Sequence, residues 1–92
     1  MKYVIFWKLK EPVEENLKKI DEIEKARIER GEALSQQGES LAQYNLLSEY
    51  KAFLIVDTDE TSIAKWIASY DPILKYKISP IMTREEWEKA TQ

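Results

Sequence analysis

Residues 50–57 combine a continuous apolar centre with polar ends, which is the pattern of a buried strand. Because side chains alternate along a strand, Phe53 and Ile55 share one face, and Leu54 and Val56 share the other. Both faces are apolar, so neither is expected to be exposed to water. We therefore predict that residues 50–57 form a central strand that is covered on both sides.

The segment Met1–Leu9 predicts a second strand of the same kind. Tyr3 and Ile5 alternate with Val4 and Phe6, so the middle of this strand is also apolar on both faces. A proline shortly after the segment ends the strand.

Two further segments, the first of them with a weaker pattern, predict the remaining strands. In Leu41–Leu47, Tyr44 and Asn45 fall on opposite faces. In Leu74–Met82, Pro80 lacks the N–H group that a strand donates to its neighbour. Proline is therefore confined to a sheet edge or to a strand end, which predicts an edge position for this strand.

Apolar residues at helical spacing predict two longer helices between the strands. The first runs from about Val13 to Leu34, with a core-facing apolar stripe along its length. Gly31 within it either lets another backbone come close or begins the exit from the helix. The second helix follows N-cap candidates at residues 57–59 and ends at Asp71-Pro72.

The predicted order of elements is β-α-β-β-α-β, with a turn at Ser48-Glu49 that joins the middle strands in a hairpin. Right-handed crossovers place strands one and three in the centre, which gives the order 4-1-3-2. We therefore predict an α+β protein with the ferredoxin-like fold. It has a four-stranded antiparallel or mixed sheet, two helices on one face, and a single domain spanning residues 1–92.

The second face of this sheet needs a cover that the two helices do not provide. The remaining segment is a short helix over residues 83–90, which opens with a capping box at Thr83 and contains Trp87. A second copy of the chain, packed sheet to sheet, is the favoured cover, and we expect it to bury about 1,600 Å² or more. The alternative is that Trp87 anchors the tail across the open face.

Composition narrows the classes of function. The 92 residues carry a net charge of −3, which gives no electrostatic reason to expect nucleic acid or an anionic membrane as a partner. The absence of cysteine and histidine removes disulfides, thiol nucleophiles, the usual catalytic triads and the commonest metal ligands. No apolar run reaches the ~20 residues of a membrane span, and no signal-peptide cleavage pattern is present. We expect a cytoplasmic protein without a metal or cofactor.

Short segments spread over nearly the whole chain form a pattern: Met1-Lys2-Tyr3, Trp7, Val56-Asp57-Thr58-Asp59, Trp66, Tyr70-Asp71-Pro72 and Ser79-Pro80-Ile81. With this pattern the chain resembles small proteins grouped as a domain of unknown function within the dimeric α+β barrel superfamily. The resemblance implies a ferredoxin-like fold and a homodimer, and it implies no activity. More distant relatives include cofactor-independent monooxygenases, lactone isomerases, haem enzymes and ligand-sensing domains. Several of those enzymes rely on a histidine, which this chain lacks.

Glu24 and Arg27 are the charged residues that project into the apolar stripe of the first helix. In a cleft between helix and sheet, the arginine could hold a carboxylate or enolate, and the glutamate could act as a base. The alternative is an ion pair at the rim, between the two residues or with Asp57.

Aromatic residues and one amide complete the candidate ligand site. Trp7, Tyr44, Trp66 and Tyr70 could line a pocket for a flat ligand, although aromatic side chains also fill cores. Asn45 could bind a substrate oxygen or lie on a solvated strand face.

Two functions follow from these candidates. The first is a homodimeric binding or interaction module that holds a small apolar or carboxylate ligand. The second is a cofactor-independent enzyme, similar to a monooxygenase or an isomerase, that acts on a small aromatic or carbonyl compound.

Overall fold

The computed structural model describes residues 1–46 and 49–92. The predicted strand end at Leu47 and the Ser48 part of the predicted turn lie outside the described residues. Along the chain the elements are β1 (Lys2–Leu9), α1 (Val13–Glu29), α2 (Leu34–Gln37), β2 (Glu39–Leu46), β3 (Lys51–Asp57), α3 (Glu60–Tyr70), β4 (Leu74–Ile81) and α4 (Arg84–Ala90).

The four strands form one sheet in the order β2-β3-β1-β4, and every neighbouring pair is antiparallel. This order confirms the prediction that strands one and three are central and strands two and four are edges. Pro80 lies in the edge strand β4, opposite Tyr3 of β1. The structure is therefore an α+β protein with a ferredoxin-like fold.

The core lies between the sheet and the helices α1 and α3. The register places Ile5 of β1 on the same face as Leu54 of β3 and Ile78 of β4. Ile5 and Val56 are fully buried, and they pack in one cluster with side chains of α3 such as Ile63, Trp66 and Tyr70. The face of the central strand that carries Leu54 and Val56 therefore meets the helices.

The first helix is shorter than predicted. It ends at Glu29, and a separate short helix, α2, begins at Leu34. Gly31 has a φ of 72°, a conformation that other residues adopt only at a cost, so the glycine begins the exit from α1. Leu34, the last residue of the predicted apolar stripe, still packs into the core, but it does so from α2.

The opposite face of the sheet, here called the open face, carries Val4, Phe6, Tyr44, Phe53 and Ile55. Phe6 is 49% exposed and Tyr44 is 59% exposed. The ring centres of Tyr44 and Phe53 lie 5.1 Å apart in a stacked pair. An apolar surface of this kind is typical of an interface.

Helix α4 leaves the open face uncovered. None of its residues is buried, and Trp87 is 60% exposed. An ion pair of 3.0 Å between Lys2 Nζ and Glu86 Oε1 ties the helix to the end of β1. The alternative in which Trp87 anchors the tail across the sheet is therefore wrong. In the part of the chain that the structure describes, no helix is long and apolar enough to cross a membrane.

Candidate functional site

The position of Arg27 follows from the way α1 ends. The N–H of Gly31 donates to the carbonyl of Ile28 at 3.0 Å, and the N–H of Glu32 donates to the carbonyl of Arg27 at 2.8 Å. These two bonds define a Schellman motif, which requires the left-handed conformation that Gly31 adopts. The chain therefore turns back over Arg27 and brings the Glu32 carbonyl close to the guanidinium group.

The side chain of Arg27 is 2% exposed and its hydrogen-bond partners are neutral. Nη1 donates to Ser69 Oγ at 2.9 Å, and Nη2 donates to the backbone oxygen of Glu32 at 2.7 Å. The guanidinium carbon lies 5.6 Å from the centre of the Tyr70 ring, which is a cation–π distance. Among the described residues no carboxylate forms an ion pair with Arg27, since the Glu32 carboxylate pairs with Arg30 instead.

Burial shifts the titration of both members of the Arg27–Tyr70 contact. Loss of hydration lowers the pKa of Arg27 below its ordinary value, and the charges of Tyr70 and Glu32 partly oppose this effect. Burial also raises the pKa of Tyr70, with Arg27 acting against the shift and Glu24 adding to it. The cleft therefore holds a buried cation that is influenced by the charge of Glu32 but forms no ion pair with a carboxylate among the described residues.

Arg27 lines a cleft of about 200 Å³ between the helices and the helix-facing side of the sheet. Its walls come from all four strands on one side and from the segments of α1, α2 and α3 on the other. The lining residues are Trp7, Ile20, Glu24, Arg27, Ala33, Leu34, Ser35, Ser40, Gln43, Leu54, Trp66, Tyr70 and Leu74.

The cleft brings together five of the seven residues that the sequence singled out: Trp7, Glu24, Arg27, Trp66 and Tyr70. Tyr44 lies on the open face, because its position in β2 pairs it with Phe53 rather than with Leu54. Asn45 is on the helix-facing side but lines a neighbouring cavity.

Glu24 and Arg27 share the cleft without pairing. Glu24 is exposed, whereas Arg27 is buried and bonded to Ser69 and Glu32. Asp57, the other proposed partner, forms an ion pair of 3.0 Å with the amino group of Met1. The predicted ion pair, either between the two residues or with Asp57, is therefore wrong.

The aromatic residues of the cleft also belong to the core. The Trp66 ring lies 5.0 Å from that of Tyr70 and 5.7 Å from that of Tyr76. The hydroxyl of Tyr76 donates to Asp71 Oδ1 at 2.7 Å, which holds the edge of this cluster and raises the pKa of the tyrosine. Trp66 and Tyr70 thus each fill the core and also line the cleft.

Several polar residues of the cleft escaped prediction from sequence. Gln43 precedes Tyr44 in β2, so the alternation of side chains predicts that the two residues lie on opposite faces of the sheet. The alternation does not predict which of these faces meets the helices. Ser35 and Ser40 reach the cleft because the chain breaks at Gly31 and forms α2. Ser69 lies three positions after Trp66 on α3, and this helical spacing was the available signal for it.

The cleft combines the guanidinium group of Arg27 and the carboxylate of Glu24 with aromatic side chains. A guanidinium group binds planar oxyanions through several N–H donors, and serine and glutamine supply further donors. In residues 1–46 and 49–92 no group of three or more acidic side chains lies close enough to hold a metal ion.

The antiparallel sheet with its helices on one face, and a cleft between the two layers, defines an α+β protein of the ferredoxin-like class. The chain belongs to the family described as Domain of unknown function (DUF3303), whose profile matches residues 1–92. Among curated proteins, none matches this chain.

Proposed function

We propose that residues 1–92 form a single-domain binding module that holds a small carboxylate in the Arg27 cleft. The observation that carries this proposal is the buried guanidinium group with neutral partners. An isolated buried charge is costly unless it is paired. A ligand carboxylate would supply the missing negative charge and would accept a charge-assisted hydrogen bond.

The walls of the cleft favour a carboxylate attached to a flat or apolar group. Trp7, Trp66 and Tyr70 offer aromatic surface beside the cation, and Leu54 and Leu74 close the floor. Small-molecule sites commonly combine such apolar walls with a few placed polar groups.

The test compares binding of benzoate with binding of the uncharged benzyl alcohol, in wild type and in Arg27→Met. Arg30→Met is the matched control, because Arg30 lies on the same turn but is exposed and paired with Glu32. Benzoate should raise the melting temperature of wild type and of Arg30→Met, and it should shift the indole N–H resonances of Trp7 and Trp66. Arg27→Met should lose both effects.

Two outcomes would overturn the proposal. One is that benzoate has no effect on the wild type at millimolar concentration. The other is that benzoate binds Arg27→Met as well as it binds the wild type.

A second candidate function is cofactor-independent proton transfer on a carbonyl compound. Glu24 lines the same cleft as Arg27 and is close enough to Tyr70 to raise its pKa. In this scheme the Glu24 carboxylate removes a proton next to the carbonyl, and Arg27 holds the enolate oxygen until the proton returns. Deuterium exchange at the methylene group of phenylpyruvate, followed by NMR, should be faster with wild type than in buffer and should be lost in Glu24→Gln. A wild-type rate equal to that in buffer would exclude this function.

The module is further proposed to act as a homodimer in which the open face of one copy packs on that of another. The apolar centre of this face, formed by Val4, Phe6, Phe53 and Ile55, supports the proposal. Lysines lie toward one end of the face, at Lys8, Lys51, Lys75 and Lys77. An apolar centre with charged residues at its margin is the usual composition of a protein interface.

The exposed helix α4 fits the same arrangement. Trp87 and Met82 project into solvent in the single chain, and in a dimer they would contact the partner. Light scattering should show a dimer at micromolar concentration, and a monomer would contradict this part of the proposal.

A further inference from the structure

A second cavity, of about 340 Å³, adjoins the Arg27 cleft. Its lining is largely apolar and includes Leu9 of β1, Leu17 of α1 and Leu46 of β2. Trp7 and Ile20 line both cavities. The two cavities are therefore neighbours between α1 and the sheet, and these two side chains lie at the boundary between them.

The combined length of the two cavities follows from the helix that borders both. Arg27 lines the first cavity and Leu17 lines the second, and both lie on α1. At 1.5 Å per residue, positions 17 and 27 are about 15 Å apart along the helix, which is the length of an extended acyl chain of about ten carbons.

At the first end, the buried cation of Arg27 shares the cleft with the exposed carboxylate of Glu24. Arg27 has no carboxylate partner among the described residues. At the far end, Lys51 and Glu49 pair with each other, and the nearby amide of Asn45 is neutral. The site therefore matches a molecule with one negative end and an apolar body.

We propose that the two cavities hold one elongated monocarboxylate, with its carboxylate at Arg27 and an aliphatic or alkyl-aromatic tail that passes Trp7 and Ile20 toward Leu17. This inference rests on the proposed carboxylate site and adds the length and apolarity of the ligand. The tail gains affinity by leaving water for the second cavity, since burial of apolar area is favourable in proportion to that area.

The test measures the dissociation constants of straight-chain carboxylates from hexanoate to dodecanoate by calorimetry, below their micelle concentrations. Each added methylene group should tighten binding about threefold until the chain reaches about ten carbons. Leu17→Trp, which places a larger side chain at the lining of the second cavity, should remove this dependence on length. Ile28→Trp is the matched control, because Ile28 is exposed on the same helix, as Leu17 is, but lines neither cavity.

The possible results distinguish the elongated ligand from the carboxylate site at Arg27 on which it rests. If hexanoate binds through Arg27 but longer chains bind no tighter, the proposal of an elongated ligand is wrong. The proposal of a carboxylate site at Arg27 is then retained. If Leu17→Trp leaves the length dependence intact, the tail does not enter the second cavity and the inference fails. If no carboxylate of any length binds the wild type, the carboxylate site itself is wrong.

Discussion

Glu32 and Arg27 are joined by two hydrogen bonds that run in opposite directions. The N–H of Glu32 donates to the backbone carbonyl of Arg27 at 2.8 Å, and the backbone carbonyl of Glu32 accepts from Nη2 of Arg27 at 2.7 Å. The same turn that ends α1 thus also fixes the buried guanidinium group. Helix termination and the geometry of the cleft depend on one backbone conformation, that of Gly31.

Gly31→Ala tests this coupling. An ideal Cβ at position 31 would meet no atom within 4 Å, so the cost arises from the φ of 72° alone and should be about 1 kcal/mol of unfolding free energy. Gly31→Asn should cost less, because asparagine tolerates the left-handed conformation. Urea denaturation of the three proteins measures the difference. Equal stability of wild type and Gly31→Ala would show that the turn has another conformation.

Arg27→Met should leave the free energy of unfolding within about 1 kcal/mol of wild type or should raise it, because it replaces a buried unpaired charge by an apolar side chain of similar length. Arg27→Ala removes the packing as well and should cost about 2–4 kcal/mol. Thermal and urea unfolding of both variants gives the comparison. A loss of more than about 3 kcal/mol in Arg27→Met would mean that Arg27 is retained for stability rather than for a ligand.

Phe53→Asp and Ile55→Asp should give folded monomers. Both residues lie on the open face, where an added charge opposes association but remains hydrated in the single chain. The matched change Val56→Asp places the same charge in the fully buried helix-facing layer, and it should prevent folding. Light scattering reports the oligomeric state and circular dichroism reports the fold. A dimer that persists in both open-face variants would show that the open face is not the interface.

Helix α4 should lose order in acid through Glu86. Its carboxylate accepts from the backbone N–H of Thr83 and from Lys2 Nζ, both at 3.0 Å. These contacts lower the pKa of Glu86 from 4.5 to about 2, with the Thr83 backbone bond as the main cause. Because the pKa is lowered in the folded state, the stabilisation is present above pH 4.5 and is lost as the pH falls toward 2.

The carboxyl carbon resonance of Glu86 and the helical chemical shifts of α4, followed by NMR from pH 7 to pH 2, measure this effect. Glu86→Gln is the control, since an amide oxygen still accepts the Thr83 bond but does not titrate in this range. The helical shifts of α4 should then change less over the same range than they do in wild type, because the other glutamates of the helix remain. Titration of wild-type Glu86 at its ordinary value would contradict the capping arrangement.

The sequence by itself determined the order of the strands and of the helices α1, α3 and α4 along the chain, the strand order in the sheet and the pairs of residues that share a face, but it did not predict α2. These follow from local periodicity and from chain handedness, which act over a few residues or one crossover. The alternation in residues 50–57 correctly separated Phe53 and Ile55 from Leu54 and Val56. The periodicity also placed Trp66 and Tyr70 together on α3.

Only the tertiary structure decided which face of the sheet meets the helices, because both faces of β1 and β3 are apolar and periodicity treats them alike. That choice put Tyr44 on the open face and Gln43 in the cleft. It also decided that Arg27 bonds to Ser69 and to Glu32 rather than to Glu24. The packing of α1 against α3 and the turn at Gly31 select these hydrogen-bond partners of Arg27. The spacing of residues along the chain does not specify either partner.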